Sequence, residues 1–316
     1  MKDLEHEASG NVFPGDLRER VSRQMILREL GEKGQAAISS AHFLVIGAGG
    51  LGSPAILYLA AAGAGTITVV DADTVSVSNL SRQILHTTST VNVNKAKSAV
   101  IAVERLNPHC RIIPVPEFAD AVKLKALVKN ADVILDCTDN FATRIAVSRA
   151  AHDAGKPLVF ASAVRFSGQL TVFDPSVPES PCFECIFEED DPGNDVKAAA
   201  VGVFSSVTGI VGTLQATEAL KIAAGIGSTL CGRQRDPRAP HQEGAQLGAP
   251  HFRHHRRAQH AVRHHQGEAQ EALPRLQRKA LKEKRALKPN KRNGPETKVR
   301  GRSVGNDPKK RASGSS

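Results

Sequence analysis

The chain has 316 residues, 41% hydrophobic and 23% charged, with 11 Phe, one Tyr and no Trp, enough for one large domain or two ordinary ones. Its net charge of +10 is unevenly placed: Arg233 to Ser316 holds 22 Lys and Arg against 7 Asp and Glu, a net +15, which leaves −5 for residues 1–232. The basic balance therefore belongs to the tail and is no ground for reading the rest as a nucleic-acid binder.

The first residues, Met1 to Glu7, lack the basic-then-apolar order of a signal peptide, and residues 1–12 read as a flexible lead. No apolar run approaches the roughly 18 residues of a membrane span, and five cysteines give no even disulfide framework. A cytoplasmic, membrane-free protein is expected.

From residue 13 to 232 the chain alternates between strand and helix patterns. His42–Ile46 is a short apolar run that predicts a buried parallel strand. It ends in Gly47-Ala48-Gly49-Gly50-Leu51-Gly52, and Ser53 to Ala62 then reads as helix. Thr66–Val70 is β-branched and stops at Asp71; a helix is expected over Lys95–Leu106 and a strand over Arg111–Val115. Val122–Lys129 is helical, Asp132–Asp136 a third clear buried strand, and Phe141–His152 a helix. Strands follow at Pro157–Phe160 and Gly168–Phe173, then a long helix over Val207–Ala224 with Ile210, Val211, Leu214 and Leu220 on its apolar stripe. Such alternation predicts an α/β fold: a Rossmann-like, doubly wound, mostly parallel sheet with helices on both faces.

A glycine loop between a strand and a helix predicts phosphate near the helix N-terminus, where free N–H groups and the dipole attract anions. Gly47, Gly49, Gly50 and Gly52 alone serve an NAD or FAD loop equally well, with Asp71 near a ribose hydroxyl. The residues further on change the reaction class. Asn79, Arg82 and Lys95 follow the second strand, at the carboxyl edge where such sheets bind ligands. Two cations and an amide suit phosphate oxygens, and hydride transfer has no use for them. Asp139 follows the third strand toward the same edge, where a carboxylate can hold Mg2+ against phosphates or cap the helix beginning near Asn140.

Residues from about Asp16 to Gly232 resemble the ThiF/MoeB/HesA group of the ubiquitin-activating-enzyme superfamily. The resemblance rests on Arg20-Val21-Ser22-Arg23-Gln24, the glycine loop, Asp71-Ala72-Asp73, Ser78-Asn79-Leu80-Ser81-Arg82-Gln83, Lys95, Asp136 to Asn140, Val164 to Gln169 and Gly212 to Ala216, in that order. It implies an adenylyltransferase acting on the C-terminal Gly-Gly carboxylate of a small ubiquitin-like sulfur carrier, in molybdopterin, thiamine or related sulfur transfer. It further implies ribose binding by Asp71, phosphate binding by Asn79, Arg82 and Lys95, and Mg2+ binding by Asp139. Arg23 matches an arginine that reaches the neighbouring subunit's active site, so a homodimer is implied. The rival expectations are a degraded member that binds ATP or carrier without turnover, and an NAD-dependent oxidoreductase.

The chain also departs from that pattern. Cys182-Phe183-Glu184-Cys185 has the spacing of half a tetrahedral zinc site; the family's second cysteine pair has no counterpart, Cys231 being the one later cysteine. Tail histidines such as His251, His254 and His255 are the replacements on offer, a solvated run being the preferred expectation for them. Ala198 stands where many members carry cysteine, so no thioester forms there. Asn94 replaces a frequent proline beside the lysine, and Cys110 and Cys137 read as small buried hydrophobes. Beyond Arg233 there is no Ile or Tyr and one Phe, a composition expected to be disordered. Its Arg/His/Ala/Pro/Gln bias matches an out-of-frame reading of a GC-rich gene, an expectation preferred over an evolved arm, although +15 implies non-specific nucleic-acid binding.

Overall fold

In the computed structural model, which describes residue 13 and residues 15–177, 180–187 and 201–231, six strands form one sheet. These are β1 (His42–Ile46), β2 (Thr66–Val70), β3 (Arg111–Val115), β4 (Val133–Asp136), β5 (Leu158–Val164) and β6 (Ser167–Phe173). The sheet order is β3-β2-β1-β4-β5-β6. Strands β1 to β5 pair in parallel, and β6 returns antiparallel against β5. The helices are α1 (Leu17–Met25), α2 (Gly31–Ser40), α3 (Gly52–Ala61), α4 (Lys95–Leu106), α5 (Ala121–Lys129), α6 (Phe141–Asp153) and α7 (Ser205–Ala224).

Side chains alternate across a strand, and each strand therefore feeds two cores. Phe43, Val45, Ile67, Val69 and Leu135 face one side, packed with Leu59, Ala99, Val103 and Ala216. Leu44, Ile46, Val70 and Ile134 face the other, packed with Leu124, Val128, Phe141, Ile145 and Phe183. With both faces covered, the strands read as continuous apolar runs, and the doubly wound expectation holds.

Three details differ from the sequence reading. Helices α1 and α2 were not expected; α2 is rich in Gly and Ser and forms by tertiary contact. Its buried Gln35 donates from Nε2 to Ala62 O at 2.9 Å, while Leu17 and Val21 of α1 pack with Phe13. Strands β5 and β6 form a longer hairpin than expected, with Arg165 at its turn at φ 55°. The stripe proposed for α7 is also corrected, because Ile210 is 61% exposed. The buried face of α7 is instead Thr208, Val211, Gly212, Gln215, Ala216, Glu218 and Ala219.

That face contains two fully buried polar residues, and both are satisfied. Gln215 Nε2 donates to Asp136 O and Val159 O, each at 2.8 Å, so one carboxamide bridges β4 and β5. Glu218 accepts from Lys221 Nζ at 2.6 Å and from Leu230 N at 2.8 Å. A buried polar group without partners costs about 1–3 kcal/mol, which is why periodicity scored on apolar residues misjudged this helix.

Among the described residues no helix is long and apolar enough to cross a membrane. The expectations for residues 1–12, Ala198, Gly232, His251, His254, His255 and the tail from 233 lie outside the described residues.

Candidate functional site

In the order β3-β2-β1-β4-β5-β6 the winding reverses between β1 and β4, and a crevice opens at their carboxyl ends. The chain leaves β1 through the glycine loop. Gly47 has φ 97°, and a Cβ there would stand 2.8 Å from Cys137 O; one on Gly52 would stand 2.0 Å from Gly47 O. Both positions demand glycine, because loop, α3 and the end of β4 meet backbone to backbone.

A cleft of about 270 Å³ opens over this point. It is lined by Gly47, Gly49 and Gly50, by Asp71 and Asp73 after β2, and by Arg82, Gln83 and Lys95. Glu117 and Phe118 after β3 add to it, as do Thr138, Asp139, Asn140 and Arg144 after β4 and Thr208 of α7. Seven of the expected site residues thus converge: Gly47, Gly49, Gly50, Asp71, Arg82, Lys95 and Asp139. Gly52 lies just behind them and sets the start of α3.

The carboxylate of Asp71 accepts from Ala48 N at 2.8 Å and from Asp73 N at 2.9 Å. It is thereby fixed to the glycine loop, while burial pushes its carboxyl above the usual range and the Lys95 ammonium partly offsets that. Lys95 is only 6% exposed, and Nζ donates to Asp73 Oδ2 at 2.8 Å; a buried ammonium requires such a partner. Asn94, the expected minor departure, caps α4 by accepting from Lys97 N at 3.1 Å. Its Nδ2 also donates to Asp71 O at 2.9 Å and Asp73 O at 3.0 Å. Asparagine therefore performs a binding-loop task that proline has no donor to perform.

His86 is buried behind the loop. Its Nε2 meets Ala48 O and its Nδ1 meets Ser98 Oγ, both at 2.9 Å. A carbonyl only accepts, so Nε2 carries the proton and Nδ1 accepts from the hydroxyl. Burial pushes the imidazole below its ordinary value, and the neighbouring Lys95 acts in the same direction.

On the β4 side, Asp136 is fully buried and accepts from Thr138 N at 2.9 Å and Thr138 Oγ1 at 2.7 Å. Desolvation pushes its carboxyl up, opposed by Arg144. The helix cap is supplied by Asn140, whose Oδ1 accepts from Thr143 N at 2.9 Å. The capping alternative for Asp139 thus falls to its neighbour, and Asp139 lines the cleft. Arg144 donates from Nη2 to Thr138 O at 2.9 Å and lies 5.3 Å from the Phe160 ring centre.

Two expected residues stand apart. Asn79 is not among the cleft-lining residues; its Oδ1 accepts from Ser76 N at 3.2 Å and caps the turn that presents Arg82. Arg23 is exposed in the last turn of α1, away from the lining. Cys110 and Cys137 are buried as expected, and burial pushes the Cys110 thiol up to about 12. Among the described residues no group of three or more His, Cys, Asp or Glu converges around a metal position.

Sequence reasoning missed Arg144, Thr138, Gln83, Glu117 and Thr208. Gln83 sat inside a quoted motif, and Arg144 is one helical turn past Asn140; proximity to assigned residues was the only available signal. Glu117 and Thr208 come from separate elements, and topology alone brings them in. The lining carries Arg82, Lys95 and Arg144 against Asp71, Asp73, Glu117 and Asp139, a mixed field suited to phosphates accompanied by a cation.

Comparison with known proteins gives the family and the fold. The ThiF family matches residues 21–259. The "Adenylyltransferase and sulfurtransferase MOCS3" of Bos taurus is 46% identical over 215 residues, covering 68% of this chain and 47% of the relative. The "Adenylyltransferase and sulfurtransferase uba4" of Aspergillus fumigatus is 45% identical over 210 residues, 64% of this chain and 43% of the relative. The chain thus spans under half the length of these curated relatives. Among solved structures, PaaA superposes with a TM-score of 0.62 at 22% identity, covering 73% of this chain and 72% of that one. Escherichia coli MccB with ATP gives 0.55 at 22% identity, over 63% and 60% of the two chains. These structural likenesses show the fold. The family match, with the relatives' identity across the same cleft-bearing region, places this chain in the ThiF family.

Proposed function

We propose that the chain is an ATP-dependent adenylyltransferase that activates the C-terminal Gly-Gly carboxylate of a small ubiquitin-like sulfur carrier, releasing pyrophosphate. What carries this reading is the convergence of the glycine loop, Asp71, Arg82, Lys95 and Asp139 on one switch-point cleft. Sulfur transfer for molybdenum cofactor is the favoured setting, because the relatives over this region are named MOCS3 and uba4; thiamine or related thiolation is the wider class.

The ribose hydroxyls meet Asp71, and the phosphates lie along the glycine loop with Arg82 and Lys95 beside them. The carrier carboxylate attacks the α-phosphorus, the bond to the β-phosphate oxygen breaks, and pyrophosphate leaves with the electron pair. Negative charge spreads over phosphoryl oxygens, and fixed cations lower that barrier without reorganising. Lys95 is already desolvated and aimed by Asp73, so it is placed before substrate arrives. Mg2+ fits the hard oxygen donor of Asp139 at the cleft wall and, when bound, offsets phosphate charge. Asn79 contributes by fixing the turn that carries Arg82.

A homodimer completes the site in this proposal, with Arg23 of each subunit serving the other. The catalytic unit is residues 13–232, in the cytoplasm, and the +15 tail adds only salt-sensitive nucleic-acid affinity. The test is carrier-dependent ATP–pyrophosphate exchange with a panel of Gly-Gly-ended carriers. Exchange by the full chain and by a chain ending at residue 232 is expected. A folded dimer inactive with every carrier overturns the enzymatic reading in favour of a binding-only protein.

A further inference from the structure

The turn carrying Cys182 and Cys185 does not suit the metal that its spacing suggests. Two thiolates on one tetrahedral zinc, each bonded at about 2.3 Å, stand about 3.8 Å apart. Here Cys182 Sγ and Cys185 Sγ are 2.8 Å apart. That is about 1 Å closer than a shared tetrahedral ion sets its thiolates and about 0.8 Å from the length of a disulfide bond. The sequence agrees: the remaining cysteines are Cys110, Cys137 and Cys231, and the first two are buried in the core that contains α3 and α4. This sequence contains no second Cys-x-x-Cys pair to complete a four-sulfur site.

The backbone favours closure. Cys185 N donates to Cys182 O at 3.1 Å, which makes residues 182–185 a turn whose end Cα atoms lie within about 7 Å. Bridged cysteines span roughly 4.4–6.8 Å between Cα atoms, so bond formation needs side-chain rotation and little backbone movement. The turn is held in place while this happens. Phe183, between the two cysteines, is 1% exposed and packs 5.5 Å from Phe141, 5.1 Å from Phe160 and 4.6 Å from Phe187. Glu184 accepts from Arg149 Nε at 3.0 Å. Cys185 is exposed and Cys182 half-buried, so one sulfur is open to a reagent and the other waits behind it.

We propose that Cys182 and Cys185 form a thiol-oxidation site, a dithiol closed to an intramolecular disulfide by low-molecular-weight disulfides such as glutathione disulfide. The Cys185 thiolate attacks one sulfur of the small disulfide and expels one thiolate. The Cys182 sulfur then attacks the resulting mixed disulfide at Cys185 and expels the second small thiolate. The protein loses two protons and two electrons, and the small disulfide becomes two thiols.

The test uses the full chain, equilibrated in glutathione buffers of increasing oxidation, quenched in acid, alkylated and cut with trypsin. Residues 166–197 form one peptide with no internal Lys or Arg and no cysteine besides these two. It is expected to escape alkylation under oxidising buffer and to be lighter by two hydrogen atoms. Cys182→Ser should halt the sequence at a glutathione adduct on Cys185, since the resolving sulfur is gone. Two alkylatable thiols persisting through the most oxidising buffer overturn the proposal. So does one zinc per subunit in the isolated chain, released when these two cysteines are alkylated.

Discussion

On the β1–β2 side of the cleft the charged groups are already partnered: Lys95 with Asp73, and Asp71 with the amides of Ala48 and Asp73. On the β4 side two buried polar atoms, Asp136 Oδ2 and Arg144 Nε, have no hydrogen-bond partner among the described residues. Native proteins keep few such atoms, and each asks for an explanation. The contrast teaches a division of labour. The first side pairs its charges internally, with Asn94 and His86 tying loop, strand and helix together, and its unpartnered buried atoms, Gln83 Oε1 and Ser53 Oγ, belong to neutral side chains. The second holds its polar groups in reserve, within reach of the cleft wall where Asp139 and Arg144 stand.

The hardest test of that division is Asp139→Ala. If the β4 side supplies charge compensation, exchange should fall by about 10²–10³-fold while the melting temperature stays within the small range of surface substitutions. Arg23→Ala should be comparably inactive, and a mixed dimer of the two variants should regain part of the activity through its one intact site. Mixed dimers as inactive as their parents would remove the contribution across the interface.

Gln215→Ala attacks the structural connection between the halves. Its carboxamide serves Asp136 O, Val159 O and the Cys137 thiol, so its loss strands buried carbonyls and opens a small cavity. A stability loss of about 2–4 kcal/mol is expected in urea unfolding, and a change under about 0.5 kcal/mol would contradict the bridging role.

Asp71→Asn addresses the β1–β2 side. The amide oxygen still accepts from Ala48 N of the glycine loop, while the bond from Asp73 N and the charge are lost. The KM for ATP should rise about tenfold with kcat little changed, the pattern of lost uniform binding.

The smallest effect is in pH. His86 has its folded value lowered by burial, so below its ordinary value near 6.5 the unfolded chain takes up a proton that the folded chain refuses. Its contribution is present above about pH 6.5 and lost as pH falls below it, at no more than about 1.4 kcal/mol per pH unit. His86→Gln, which retains a donor for Ala48 O, should flatten that part of the stability curve. An unchanged slope in the variant would assign the acid sensitivity elsewhere.

Local sequence determined the strands and most helices, because a strand buried on both faces reads as a short apolar or β-branched run, as His42–Ile46, Thr66–Val70 and Val133–Asp136 do. It also determined the glycine loop, since Gly47 and Gly52 occupy positions that a Cβ would block. Seven cleft residues were legible from motif and order alone. Tertiary structure decided what local pattern has no means to encode. Gln215 and Glu218 face the core because Asp136, Val159 and Leu230 offer partners there, which displaced Ile210 to the surface. Asn79 turned inward to its own loop, and Arg144 and Thr208 reached the cleft from helices that meet it only once the sheet has wound both ways. Periodicity reports which residues avoid water; which polar residues find partners inside depends on contacts distant in the chain, and only the folded arrangement supplies them.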